Sequence, residues 1–242
     1  MKKVALLLIP CSVALAAAAS SFGCNSNADP YKPVPAWSGR KANVPSVPTL
    51  PTIQIKDGDA YTVKGAIHHL NSVLHNPEVT GKDITIVGYI VDMNTSRAPK
   101  CAIHKTGKAD PEDCKWSDGK PIQIPTIWIA DGKSDEKPRI RVMGWASNYA
   151  NIYDAWDKYK SLKEPPAEKD AWMDELWACH PPFPLPNVGA KIKVTGKYGV
   201  NFGRSSAGIE SDPQNGIMTY SKIEYIEPPP TPFSFPQLDN KK

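Results

Sequence analysis

Charge of either sign is barely in excess in this chain: 29 lysines and arginines stand against 25 aspartates and glutamates, a formal balance of +4. So slight a bias lacks the electrostatic footprint of a protein committed to nucleic acid or to anionic surfaces. After the first two dozen residues, no apolar run approaches the roughly 20 residues of a membrane-spanning helix. The phosphate loop G-x-x-x-x-G-K-[ST], the G-x-S-x-G elbow, the H-E-x-x-H pair and the Cys-x-x-Cys-His haem attachment are all missing. With them goes the usual sequence evidence for nucleotide hydrolysis, serine-hydrolase chemistry, zinc proteolysis and covalent haem. No internal repeat is present. The chain reads as a non-enzymatic protein that needs no cofactor.

What is present begins at the first residue. Lys2 and Lys3 precede an apolar run from Val4 to Ala19, and small residues then lead to Cys24. A positive start, a hydrophobic segment too short to span and a small-residue end describe an export signal over residues 1–23. Removing 23 of the 242 residues leaves 219, with 27 basic residues against 25 acidic ones. That length suffices for one sizeable core or two small ones.

The signal ends in Ser21-Phe22-Gly23-Cys24, which resembles the lipobox of bacterial lipoproteins. Gly23 and Cys24 match; Ser21 stands where leucine is usual, and Phe22 where a small residue is usual. The resemblance implies acylation of Cys24 and a membrane partner reached through that anchor, each buried methylene contributing about 0.8 kcal/mol. Asn25 follows the cysteine, not the aspartate linked in many bacteria with inner-membrane retention. The implied address is therefore the outer membrane, periplasmic or surface-displayed. The competing cut, after an Ala-x-Ala-like run at Ala16 to Ser21, gives a secreted or soluble periplasmic product.

Five cysteines are present, one of them inside the leader. If Cys24 is acylated, Cys101, Cys114 and Cys179 form an odd set; if not, four cysteines close up to two bridges. Cys101 and Cys114 bracket a polar loop, and in an oxidising compartment a disulfide between them is expected. Cys179 is then a buried free thiol, with a ligand role or a pairing with Cys24 as the alternatives.

Six prolines between Asn25 and Thr52 mark residues 24–52 as an extended tether, rising about 3.1 Å per residue. The proline-rich tail 228–242 reads the same way, with Phe233 and Phe235 available to pin it. Between them, 53–227 is one compact unit. Val63, Ile67, Leu70 and Leu74 recur at helical spacing, predicting a helix from Ala60 to His75. Ile84 to Met93 is apolar on both faces, as in a strand covered on two sides. Ile122 and Ile124 share one alternation phase and Ile127 and Ile129 the other, predicting a bulge at Pro125. Arg139 to Trp145, Lys191 to Tyr198 and Ile217 to Ile226 supply three more strands. A helical insertion separates the third and fourth, with one stripe on Ile152, Trp156, Tyr159 and Leu162. A second stripe runs through Trp172, Met173, Leu176 and Trp177.

Five strands in that order form a mainly β architecture with α insertions. Helices lie before the first strand and between the third and fourth. Three phrases, GKDITIVGYIVDM (Gly81–Met93), RIRVMGW (Arg139–Trp145) and VGAKIKVTGKY (Val188–Tyr198), resemble strands one, three and four of bacterial OB-fold domains of the nucleic-acid-binding-like type. The resemblance implies a five-stranded Greek-key barrel, with Gly88 and Gly196 at its sharp bends. It also implies a binding face on strands two and three and the first and last loops.

If Ile127, Ile129, Ile140 and Val142 face inward, Trp128, Arg139 and Arg141 face outward, with Tyr89 beside them. An aromatic next to guanidinium groups suits stacking on bases or sugars and pairing with anions. The alternative is an ordinary wet strand face. Arg204, in the glycine- and serine-rich loop from Gly199 to Gly208, is a further anion contact. Cys101, His104, Cys114, Cys179 and His180 are soft metal donors, but a disulfide competes for the same sulfurs. His68 and His75 lie about 10 Å apart along a continuous helix, too far to share an ion, and His69 falls on another face. Asp110, Glu112 and Asp113 read as solvated loop. The sequence thus describes a tethered binding module for an envelope protein or glycan. Its alternatives are a single-stranded nucleic-acid binder using Trp128, Arg139, Arg141, Lys115 and Arg204, and a small metal carrier.

Overall fold

The structure, a computed structural model, describes residues 46, 52–106, 114, 123–135, 137–204 and 208–239. The chain divides into Met1–Leu50 and Pro51–Lys242, and every described residue except Ser46 lies in the second unit. The leader, Cys24, nearly all of the tether, Asp110, Glu112, Asp113, Lys115 and Ile122 fall outside the described residues.

Two short strands, β1 (Lys56–Asp57) and β2 (Ala60–Thr62), lead into α1 (Val63–Leu70) and the one-turn α2 (Asn76–Val79). Next come β3 (Lys82–Met93), β4 (Thr126–Ala130), β5 (Ile140–Met143), α3 (Tyr149–Tyr159) and β6 (Lys191–Gly199). A two-stranded ribbon of β7 (Asn201–Arg204) and β8 (Gly208–Ser211) precedes β9 (Ile217–Glu227) and the short α4 (Pro236–Asp239). One end of β3 pairs with β6 and the other with β4; β4 pairs with β5, β5 runs parallel to β9, and β9 pairs with β6. The five strands close in the order β3-β4-β5-β9-β6-β3, an OB-like barrel with helical insertions.

Alternation builds the interior. Ile86, Ile90, Ile127, Ile129, Ile140, Val142, Ile192, Val194 and Met218 are fully buried. Burying a side chain of this size contributes about 1.5–3 kcal/mol, set against its ordering entropy. The bulge lies in β3 between Ile90 and Asp92, not at Pro125, where β4 has yet to begin. That extra residue reverses the alternation, so Asp92 faces outward opposite Trp128 while Met93 packs inward opposite Ile127.

Three expectations need correction. The helix predicted from Ala60 to His75 spans only Val63–Leu70, because Ala60–Thr62 is drawn into a parallel pairing with β3. Thr62 then caps the helix by accepting from Gly65 N, and Asp131 accepts from Val63 N and Lys64 N at 2.7 and 3.0 Å. The stripe of Trp172, Met173, Leu176 and Trp177 is not helical; it folds as turns closed by a bridge between Asp174 and Cys179. The stretch from Gly199 to Gly208 is not simply a loop, since it supplies β7 and the start of β8.

The proline-rich tail is docked: Phe233 and Phe235 are buried and meet edge-to-face, and the Asn187 amide donates to the Thr231 carbonyl. Cys101 and Cys114 form the expected disulfide, with Cα atoms 5.9 Å apart across 13 positions of the β3–β4 loop. A closure of that length stabilises by roughly 3 kcal/mol if chain entropy dominates.

Candidate functional site

The outward row across β3, β4 and β5 reads Asp92, Trp128, Arg141. Trp128 is half-buried. Arg97, from the turn after β3, and Arg139 both lie over its ring, at 5.7 and 5.3 Å from the centroid. Asp92 sits between these guanidinium groups, 3.1 Å from Arg97 and 3.4 Å from Arg139. Arg141 is committed elsewhere: it donates to Glu210 at 2.7 Å and to the Ser211 carbonyl at 3.0 Å, tying the β7–β8 ribbon to the barrel. Its Nε also lies 3.9 Å from Asp212.

Beside the indole a recess of about 480 Å³ is lined by Trp128, Lys137, Pro138, Arg139, Asp212, Gln214 and Asn215. Asp212 caps the turn before β9 by accepting from Gln214 N and Asn215 N, while Asn71 donates to the Gln214 carbonyl at 2.8 Å. The side-chain amides of Gln214 and Asn215 have no hydrogen-bond partner among the described residues. An aromatic platform, two amides unpartnered among the described residues, a carboxylate, paired arginines and Lys137 thus meet where the second and third barrel strands adjoin the first and last loops. Such a surface can stack on a ring and hydrogen-bond its substituents without requiring that the ligand be charged.

Of the residues singled out from sequence, the structure brings together Trp128 and Arg139, with Arg141 alongside. Tyr89 belongs to a separate cluster, its ring beside Lys133 and Lys191 and its hydroxyl donating to Glu227. Lys133 and Tyr89 together hold the Glu227 carboxyl below the usual carboxylate range. Arg204 stacks on Trp177, 4.6 Å from its centroid, in a small cluster with Met143, Phe202 and Ile217. Asp92 and Arg97 were missed, because the bulge that turns Asp92 outward has no sequence marker. A second recess of about 470 Å³ lies between α3 and the Trp172–Leu176 turns, where Asp154 already accepts from Thr106 N.

The soft-metal candidates are dispersed. Cys101 and Cys114 are bridged, which removes both thiolates. The Cys179 thiol faces the Trp145 carbonyl at 3.6 Å, His180 donates to the Trp172 carbonyl, and the shielded Nε2 of His104 has no partner among the described residues. Burial and the neighbouring Asp174 carboxylate push the Cys179 thiol up to about 12. In native protein at pH 8, Cys179 is therefore expected to resist iodoacetamide and to be alkylated only on denaturation. Rapid labelling of Cys179 in the folded chain, located by peptide mass spectrometry, would contradict this.

The histidines behave differently from the helical projection. Because α1 stops at Asn71 and the chain turns back, the His69 and His75 rings stack with centroids 4.7 Å apart. Glu78 joins them, 2.8 Å from His75 Nδ1 and 3.4 Å from His69 Nδ1. Burial lowers the His69 pKa, and the His75 hydrogen bond lowers that of Glu78. Among the described residues this is the one group of three or more histidine, cysteine or acidic side chains with donors close enough for one ion.

The chain matches no protein-family model and no curated protein sequence. No helix among the described residues is long and apolar enough to cross a membrane.

Proposed function

We propose that this protein is a non-enzymatic binding module of the bacterial envelope, tethered through a lipid on Cys24, whose Trp128 face takes a glycan. The observation that carries the reading is the recess beside Trp128. A half-buried aromatic ring adjoins amides that are unpaired among the described residues, and a carboxylate, at the place where OB barrels bind oligosaccharides and oligonucleotides. Between those two ligand classes, the charge pattern favours sugar. Asp92 offsets Arg97 and Arg139, while Glu210 and Asp212 offset Arg141, so a phosphate chain would compete with carboxylates already in place. The Cys101–Cys114 disulfide supports an oxidising, extracytoplasmic compartment.

The test is direct titration of the protein with soluble peptidoglycan fragments and lipopolysaccharide-core oligosaccharides, followed by tryptophan fluorescence and calorimetry. Saturable binding is expected, and Trp128→Ala should lose at least about fivefold in affinity, since one ring–ligand stack contributes about 1–3 kcal/mol. Undiminished glycan binding by Trp128→Ala, or no binding to any of these oligosaccharides, would refute the assignment. Binding instead to single-stranded DNA, weakening steeply with salt, would move the protein to the nucleic-acid class.

A further inference from the structure

We infer that His69, His75 and Glu78 form a binding site for a divalent zinc-class metal ion, with at least one coordination position left open. One donor atom from each residue lies within 4.8 Å of the other two. Tetrahedral zinc, with bonds of about 2.0–2.1 Å, separates its ligands by about 3.3 Å. Glu78 Oε2 stands 3.4 Å from His69 Nδ1 and Oε1 stands 2.8 Å from His75 Nδ1; because the two rings stack at 20°, the half-exposed His75 ring turns out of the stack to aim its nitrogen at the ion.

A second observation concerns His69 itself. Its Nδ1 is shielded from solvent and has no hydrogen bond among the described residues; the Glu78 oxygen is near but poorly aligned. Leaving a buried polar atom unmatched costs about 1–3 kcal/mol, and a metal bond would satisfy it. The cluster is also held in place. Tyr61 packs edge-on against His69 at 5.4 Å, Ser72 accepts from His75 N, and Asn71 Nδ2 donates to the Ile67 carbonyl. Two imidazoles and one carboxylate suit Zn²⁺ and its first-row neighbours more than Ca²⁺ or Mg²⁺, which require oxygen ligands. Three protein donors leave room for water or for a group on a partner molecule.

The experiment uses full-length, metal-stripped protein without a polyhistidine tag, titrated with zinc chloride by calorimetry and with cobalt(II) by absorption. One equivalent per chain is expected, with a cobalt spectrum of tetrahedral type. Glu78 and His75 are about half exposed, so Glu78→Gln and His75→Ala should fold normally by circular dichroism. Each should weaken zinc affinity at least tenfold and abolish the zinc-dependent rise in melting temperature seen in the parent protein. No zinc uptake by the parent, or uptake undiminished in the double variant, would overturn the assignment. Calcium or magnesium binding with equal affinity would overturn its metal class.

Discussion

Gly196→Ala is expected to destabilise the barrel strongly. A Cβ built at Gly196 lands on the Thr219 carbonyl oxygen, with the Met218 sulfur 3.1 Å away. The obstacle is backbone, and it belongs to the β6–β9 ladder where the register already shifts between Thr195 and Gly196. Relieving the clash means parting those strands, so we expect a loss on the order of 4 kcal/mol, at the upper end for overpacking. Against a total of about 5–15 kcal/mol this leaves a marginal domain. Gly58→Ala is the control. Gly58 has φ +64° and nothing within 4 Å of its added Cβ. Only left-handed strain remains there, about 1–2 kcal/mol. Equal shifts in urea midpoint for the two variants would show that the close approach at Gly196 is not what limits stability.

Asp174→Ala should have an effect of similar size through a different cause. Asp174 is fully buried, and its two oxygens serve four donors. Oδ2 accepts from Ser147 N at 2.6 Å and Asn151 Nδ2 at 3.0 Å; Oδ1 accepts from Leu176 N and Trp177 N, each at 3.0 Å. Alanine leaves the buried Ser147 and Trp177 amides without an acceptor and removes one from Leu176 N, while Asn151 Nδ2 keeps Ser147 Oγ, at a cost of roughly 3 kcal/mol. Asp174→Asn keeps one carbonyl oxygen and should fall between the two. Thermal melting reads the global part. Faster alkylation of Cys179, whose carbonyl accepts from Asp174 N at 2.8 Å, reads local opening of the insertion. A variant that melts like the parent and keeps Cys179 protected would contradict the role given to this carboxylate.

The same aspartate explains where pattern reading stopped working. Trp172, Met173, Leu176 and Trp177 have helical spacing, yet Asp174 offers its own neighbours Leu176 N and Trp177 N an acceptor that a helix would not. Short polar side chains compete with helical hydrogen bonds in this way, and spacing alone does not register it. The barrel strands were legible because alternation is imposed by burial: Ile192 and Val194 face in while Lys191 and Lys193 do not. The outward placement of Trp128, Arg139 and Arg141 followed from the same rule. Their partners did not, because a bulge in β3 and a ribbon between β6 and β9 decide which carboxylates reach them. The histidine cluster was hidden by assuming one continuous helix. His69 and His75, six positions apart and on different faces of a continuous helix, become neighbours once the chain reverses at Asn71.

Closure of the cylinder has a kinetic consequence. Its seam brings Thr85 beside Thr195, 110 positions apart, with their hydroxyls 2.9 Å from each other. A contact of that reach loses loop entropy before it gains any packing, so the seam should zip late and refolding should be slow, in the millisecond-to-second range typical of non-local β topologies. Until then the β3 edge stands bare and sticky, open to pairing with a neighbouring chain. The Cys101–Cys114 bridge removes only about a tenth of that path, roughly 0.1 kcal/mol of closure entropy, so the interval during which a half-made barrel can aggregate is set by the seam itself.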